Sequence, residues 1–158
     1  MPADSIVHSK RACPIVPSSE DIGVLGIDYG SSKIGLAFGR AGVVSPIRVI
    51  SARNFGTAIS EIARVIKEYA VSKIVVGLPL TVDNKETPKS IEVRKFVKLL
   101  KSRVKIPVEF INEFYTTKEA SVVMLNVGVS QEGRRVDDHY SASLILKRYF
   151  AESETAQG

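Results

Sequence analysis

The chain has 158 residues, 44% of them hydrophobic and 25% charged, with 22 Lys and Arg against 17 Asp and Glu for a formal net charge of +5. That balance argues against wholesale disorder, no apolar run approaches membrane-spanning length, and the single cysteine, Cys13, rules out an internal disulfide or a cysteine metal cage. The positive charge favours a polyanionic partner without specifying one.

The first residues, MPADSIVHSKRACPIVPSSE, lack a continuous apolar stretch and are rich in Pro and Ser. They read as a flexible arm over 1–21 of a cytoplasmic protein. Three extended segments follow, GVLGIDY, KIGLAFG and VVSPIRVI, joined by the short turns GSS and RAG. Such spacing predicts an antiparallel meander, with Pro46 placing the third strand at an edge or a bulge. Residues 55–70 change to a helical period, with Ile59, Ile62, Ile66 and Tyr69 on one stripe. KIVVGL is apolar through its middle, as in a parallel strand covered on both faces.

After the polar loop PLTVDNKETP, a second helix is expected from about Ser90 to Arg103, then a strand PVEFIN. Thr116 with Glu119 three residues on looks like a capping box for a third helix. The loop NVGVSQEGRR leads to a last amphipathic helix from about Asp138 to Phe150. The expected fold is α/β: a mixed five-stranded sheet, three strands antiparallel and the rest parallel, flanked by helices. It forms one domain over 22–151, with a flexible tail over 152–158.

Three acids stand out against this pattern. Asp28 closes the first strand before Gly30, and Glu113 follows FIN at the end of the fifth. Asp138 lies in helical line with Ala142, Ile145 and Tyr149, the face that should meet the sheet. Read alone, each has a plain structural use, as an Asx turn, a dipole-favoured acid or an N-cap. Together they form a set that can converge on one hard-cation site, because carboxylate oxygens suit Mg²⁺ or Mn²⁺ and such sites recruit substrate phosphates. In a basic chain this points to metal-dependent phosphodiester cleavage. One ion would lower the pKa of a water and a second stabilise the leaving oxygen. Lys33, just past the glycine turn, stands where a lysine could touch a phosphate, although a lysine there is more often simply solvated. Arg94, Lys98, Lys101 and Lys105 share a helical face, a pattern that is most often simply solvated.

GIDYGSSKIGLAFG, VVGLPL, INEFYTTKEA and VDDHYSASLILKRYF, in this order, resemble the YqgF family of Holliday junction resolvase-like proteins, also described as nucleases for the precursor of 16S ribosomal RNA. The resemblance spans about 23–150 and implies a ribonuclease H-like fold. It also implies a hydrolase that holds two divalent ions on acids corresponding to Asp28, Glu113 and Asp138. The implied partner is nucleic acid, either the 5′ end of pre-16S rRNA or branched DNA, bound by a monomer or homodimer with no membrane involved. The loop holding Thr81 and Asn84 is implied to border the substrate. Arg134 and Arg135 are the basic residues of the loop before Asp138. Asn112, Glu113 and Phe114 stand where the family usually has Asp-Glu-Arg, so the Arg contribution there is missing.

Two other classes fit parts of the sequence. DYGSS followed by Ile-Gly is similar to the first phosphate loop of actin-like ATPases, but those need a second domain and a second glycine-rich segment. A nucleic-acid-binding module that retains the fold without catalysis is the other, and Phe114 keeps it open.

Overall fold

The computed structural model describes residues 21–112 and 137–156. The strands are β1 (Gly23–Tyr29), β2 (Lys33–Arg40), β3 (Val43–Ser51), β4 (Val71–Leu78) and β5 (Val108–Asn112). The helices among the described residues are α1 (Phe55–Glu68), α2 (Pro88–Arg103) and α3 (Asp137–Ala156).

The five strands form one sheet in the order β3-β2-β1-β4-β5. β1, β2 and β3 pair antiparallel, whereas β4 joins β1 and β5 joins β4 in parallel. This is the expected mixed sheet. Pro46 proves to be both of the things its ring allows, since among the described residues β3 is an outer strand and its register with β2 slips between Leu36 and Ala37, where Arg48 and Pro46 are the successive partners. At the β2–β3 turn, Ala41 and Gly42 both take positive φ, 53° and 79°, the tight hairpin geometry that suits the twist of the flanking strands.

Alternation along the strands separates two apolar layers. Leu25, Ile27, Ile34, Leu36, Ile74 and Val76 face α1 and α2, where Ile62, Val65, Phe96 and Leu100 complete a core. Val24, Ala37, Val75 and Ile111 face the other way and pack beneath Ala142, Ile145 and Leu146 of α3. Gly26 permits that contact: a Cβ there would lie 2.6 Å from the Leu146 side chain and 2.9 Å from the Ala142 carbonyl.

Helix ends follow their caps. Asn54 accepts the Thr57 N–H at 3.1 Å to start α1. Thr87 and Ser90 cap α2 reciprocally, with Pro88 in the first turn. The tail expected from 152 is instead helical through Ala156. Ala and Glu are strong helix formers, Arg148 pairs with Glu152 at 3.0 Å, and the Ser153 hydroxyl donates to the Tyr149 carbonyl at 2.9 Å. The anticipated arm over 1–21, apart from Asp21, the helix from Thr116 and the loop 126–135 lie outside the described residues.

Candidate active site

Parallel pairing brings the carboxyl ends of β1, β4 and β5 to one edge of the sheet, the edge where ligands of α/β sheets commonly bind. Asp28 lies there. Two residues past Gly26 and four past Val24, it belongs to the face covered by α3, and it is half-buried. No ion pair or hydrogen bond joins its carboxylate to another residue among those described. On the opposite face its neighbour Tyr29 is held in an aromatic cluster, with ring centroids 4.9 Å from Phe96 and 6.4 Å from Phe55. Burial is the main cause that raises the Tyr29 hydroxyl pKa, and the negative charge of Glu92 adds to it. Locking Tyr29 in this way fixes the strand end that carries Asp28.

Helix α3 runs opposite to β1. Its early residues Ala142 and Leu146 pack over Gly26, and its later residue Phe150 packs over Gly39, which pairs with Val24 at the far end of β1. Asp138 sits one turn before Ala142, about 6 Å along the helix axis, while Asp28 sits about 7 Å beyond Gly26 along the strand. Positions 28 and 138 therefore reach the same level at the same edge, on two elements that are packed together. Glu113 follows Asn112 directly in sequence and lies outside the described residues, as do Phe114, Arg134 and Arg135. Among the described residues, no three His, Cys, Asp or Glu side chains cluster as a metal site.

The segment after β4 is a built turn at the same edge. The Thr81 N–H donates to the Lys85 carbonyl at 3.0 Å, and the Thr81 hydroxyl accepts the Lys85 N–H at 3.0 Å. Asn84 takes a left-handed φ of 58°, which Asn tolerates well. Its side-chain oxygen accepts from the Asn112 amide at 3.0 Å, tying the turn to the last residue of β5. The Thr87 hydroxyl anchors the base of the turn on the Pro79 carbonyl at 2.7 Å. Glu86 bonds to Ser90 and pairs with Arg94, whose guanidinium lies 5.2 Å from the Phe110 ring centroid. The bond from Arg94, helped by Ser90, holds the Glu86 carboxyl below its ordinary pKa. Arg94, expected on a solvated basic face, is thus occupied in bracing this turn.

Lys33 is exposed at the start of β2, and the Gly30 N–H donates to its carbonyl at 2.8 Å. Two neighbouring cations had no signal in the sequence pattern. Lys89 donates to the Ser31 hydroxyl at 2.8 Å and lies 5.4 Å from the Tyr29 ring centroid, crossing from α2 to the glycine turn. Arg53 follows the end of β3. Its proximity to Lys33 depends on strand pairing between residues far apart in the chain.

A family profile described as RuvX, Holliday junction resolvase, matches residues 23–152. The chain belongs to this family. A curated relative in Roseiflexus sp. (strain RS-1), named "Putative pre-16S rRNA nuclease", is 35% identical over 135 residues, covering 84% of this chain and 96% of that protein. A relative of the same name in Chloroflexus aggregans (strain MD-66 / DSM 9485) is 34% identical over 129 residues, covering 80% of this chain and 91% of the relative. Among solved structures, T. thermophilus RuvC in complex with a Holliday junction substrate aligns at a TM-score of 0.56 with 13% identity, over 84% of this chain and 96% of the other. That likeness is one of fold, and the RuvX chain has the ribonuclease H-like architecture that its motifs implied.

Proposed function

We propose that this RuvX-family chain is a metal-dependent nuclease that hydrolyses phosphodiester bonds at the 5′ end of the 16S ribosomal RNA precursor. In this reading Asp28, Glu113 and Asp138 hold two Mg²⁺ or Mn²⁺ ions, and the protein works in the cytoplasm as a monomer or homodimer. The observation that carries the proposal is Asp28 itself, a half-buried carboxylate without a cation partner among the described residues, at the sheet edge and level with the start of α3. A carboxylate so placed is costly unless a cation compensates it, and oxygen donors suit hard divalent ions.

Divalent ions bound there supply an activated water and stabilisation of the leaving oxygen. The residues of the chain supply position. Asp28 projects from a strand end fixed by Tyr29, and Asp138 lies in the first turn of a helix seated on the same strand. Glu113 adjoins the end of β5, which Asn84 braces through Asn112. Lys33 is available to neutralise substrate charge, with Thr81, Asn84, Arg134 and Arg135 as further substrate contacts. Phe114 leaves the chain without the arginine usual at that point, so the strand must be oriented by other cations.

Branched DNA is the second reading, favoured by the family description. Symmetric cutting of a four-way junction needs two equivalent sites, hence a dimer.

Incubation with a precursor transcript and with a four-way junction, in Mg²⁺, separates the two. The transcript should be cut in preference, and Asp28→Asn and Asp138→Asn should each lower cleavage by at least about 10–100-fold, the loss seen even when only a ligand's outer-shell partner is changed. Preferential junction cutting would move the assignment to DNA. Unchanged cleavage by both variants would remove the metal site.

A further inference from the structure

Four of the described cations are held in ion pairs. Arg48 meets Glu68 at 3.5 Å, Lys73 meets Glu109 at 2.9 Å, Arg94 meets Glu86 at 2.6 Å and Arg148 meets Glu152 at 3.0 Å. Lys33 and Arg53 differ. Both are exposed, and neither side chain has an ion pair or hydrogen bond among the described residues. They flank an open cleft of about 340 Å³ lined by Ser32, Lys33, Val49, Ile50, Ser51 and Arg53. Its walls are tied together, because the Ala52 N–H donates to the Ser32 carbonyl at 2.9 Å and the Arg53 N–H donates to the Ser51 hydroxyl at 3.3 Å.

The sheet register places three of the lining residues, while Ile50 belongs to the core on the opposite face and Ser32 and Arg53 lie just outside the strands. Asp28 pairs with Gly35, Gly35 with Val49, and Lys33 with Ser51. Directly paired antiparallel residues share a face, as do residues two apart on a strand. Lys33, Val49 and Ser51 therefore emerge on the Asp28 face. Val49 lies two strands from Asp28, about 10 Å at the usual inter-strand spacing, and the residue between them, Gly35, has no side chain.

Two unpaired cations and two hydroxyls around one small cleft match a phosphodiester, which carries one negative charge and several acceptor oxygens. Arg suits the fork-like contact to phosphate, and Lys serves as a point charge. We infer that this cleft seats a backbone phosphate of the bound nucleic-acid strand, displaced toward β3 from the phosphodiester at Asp28. The part of the inference that relates the cleft to the cut rests on the nuclease reading above, whereas the cleft's contact with the strand does not.

The test measures binding, not cleavage. Fluorescence anisotropy with a labelled 12-nucleotide single-stranded RNA, and with DNA of the same sequence, is followed across a salt series with EDTA present and the oligonucleotide checked as intact. The double variant Lys33→Gln/Arg53→Gln should bind more weakly and flatten the slope of log K against log salt by about 0.7, the change expected when one phosphate of a single strand is no longer neutralised. Arg53→Lys should keep most of the slope. The control, Arg64→Gln/Lys67→Gln on α1, removes the same charge from the opposite side of the sheet and should leave the slope as in wild type. Weaker binding of either oligonucleotide, with the flatter slope, supports the inference and names the strand. Unchanged binding, or an equal effect in the control, overturns it. Should Asp28→Asn still cleave while the cleft variant fails to bind, the metal site at Asp28 falls and the cleft stands; the reverse pattern removes the cleft alone.

Discussion

Asp28 separates folding from function in one side chain. It is a half-buried carboxylate with no cation against it among the described residues, on a strand end held by Tyr29, Phe55 and Phe96 on the other face, so it contributes no ion pair there to the fold. In divalent-free buffer Asp28→Asn should therefore leave stability within about 0.5 kcal/mol of wild type. Added Mg²⁺ should raise the melting temperature of the wild type and leave that of the variant unmoved, because only a site that binds the ion transmits its affinity to stability. Thermal melts with EDTA and with Mg²⁺ check both halves, and a variant less stable in both buffers would contradict the argument. Asp28 was legible in the sequence because a charge interrupts an apolar run just before a glycine turn. Arg53 was not, because nothing local separates an unpaired arginine from a paired one. Its role emerges only when β2 and β3 are laid side by side.

Among the elements, α3 and β1 form the contact on which the site's geometry depends. Gly26 lets the helix approach closely, and Gly26→Ala would drive a methyl group into Leu146 and the Ala142 carbonyl. The expected cost is about 1–3 kcal/mol, as for overpacking elsewhere in protein cores. Urea denaturation measures it, and a destabilisation below about 0.5 kcal/mol would mean that α3 can shift freely. Strand and helix identities were readable from the sequence because periods of 2 and 3.6 are distinct in KIGLAFG and in residues 55–68. The end of α3 was not: AESETAQG looks polar and loose, and its helical part depends on the Arg148–Glu152 pair and the Ser153–Tyr149 bond one turn back. The turn after β4 looked like a plain polar loop. Its order comes from Asn112, Arg94 and Pro79, partners that no local pattern announces.

Across the whole molecule, Lys73 fastens the layers together. Its ammonium donates to the Tyr149 hydroxyl of α3 at 3.0 Å and pairs with Glu109 of β5 at 2.9 Å. The bond to Tyr149 first, then that to Glu109, raises the Lys73 pKa above its ordinary value against the opposing effect of burial. A raised lysine pKa means that the folded state holds the proton more tightly than the unfolded state. The stability it contributes is complete below the unfolded value of about 10.4 and is lost as pH climbs through the higher folded value. Denaturation from pH 9 to 12 should show this decline, and Lys73→Met should flatten that part of the curve; an unchanged curve would dismiss the clamp. The overall topology was legible because short glycine turns demand a meander and continuous apolar runs demand strands covered on both faces. The relation between layers was less so, since Lys73 and Tyr149 stand 76 positions apart.

The slipped register at Pro46 also bears on how copies of this protein behave when crowded. An outer strand is ordinarily a template on which another chain can continue the ladder. Here an incoming strand would meet a proline with no N–H to offer and a kink that throws the following groups out of step. Among the described residues the sheet's other border is β5, Val108–Asn112. An interrupted border of this kind discourages the addition of another chain's strand at β3.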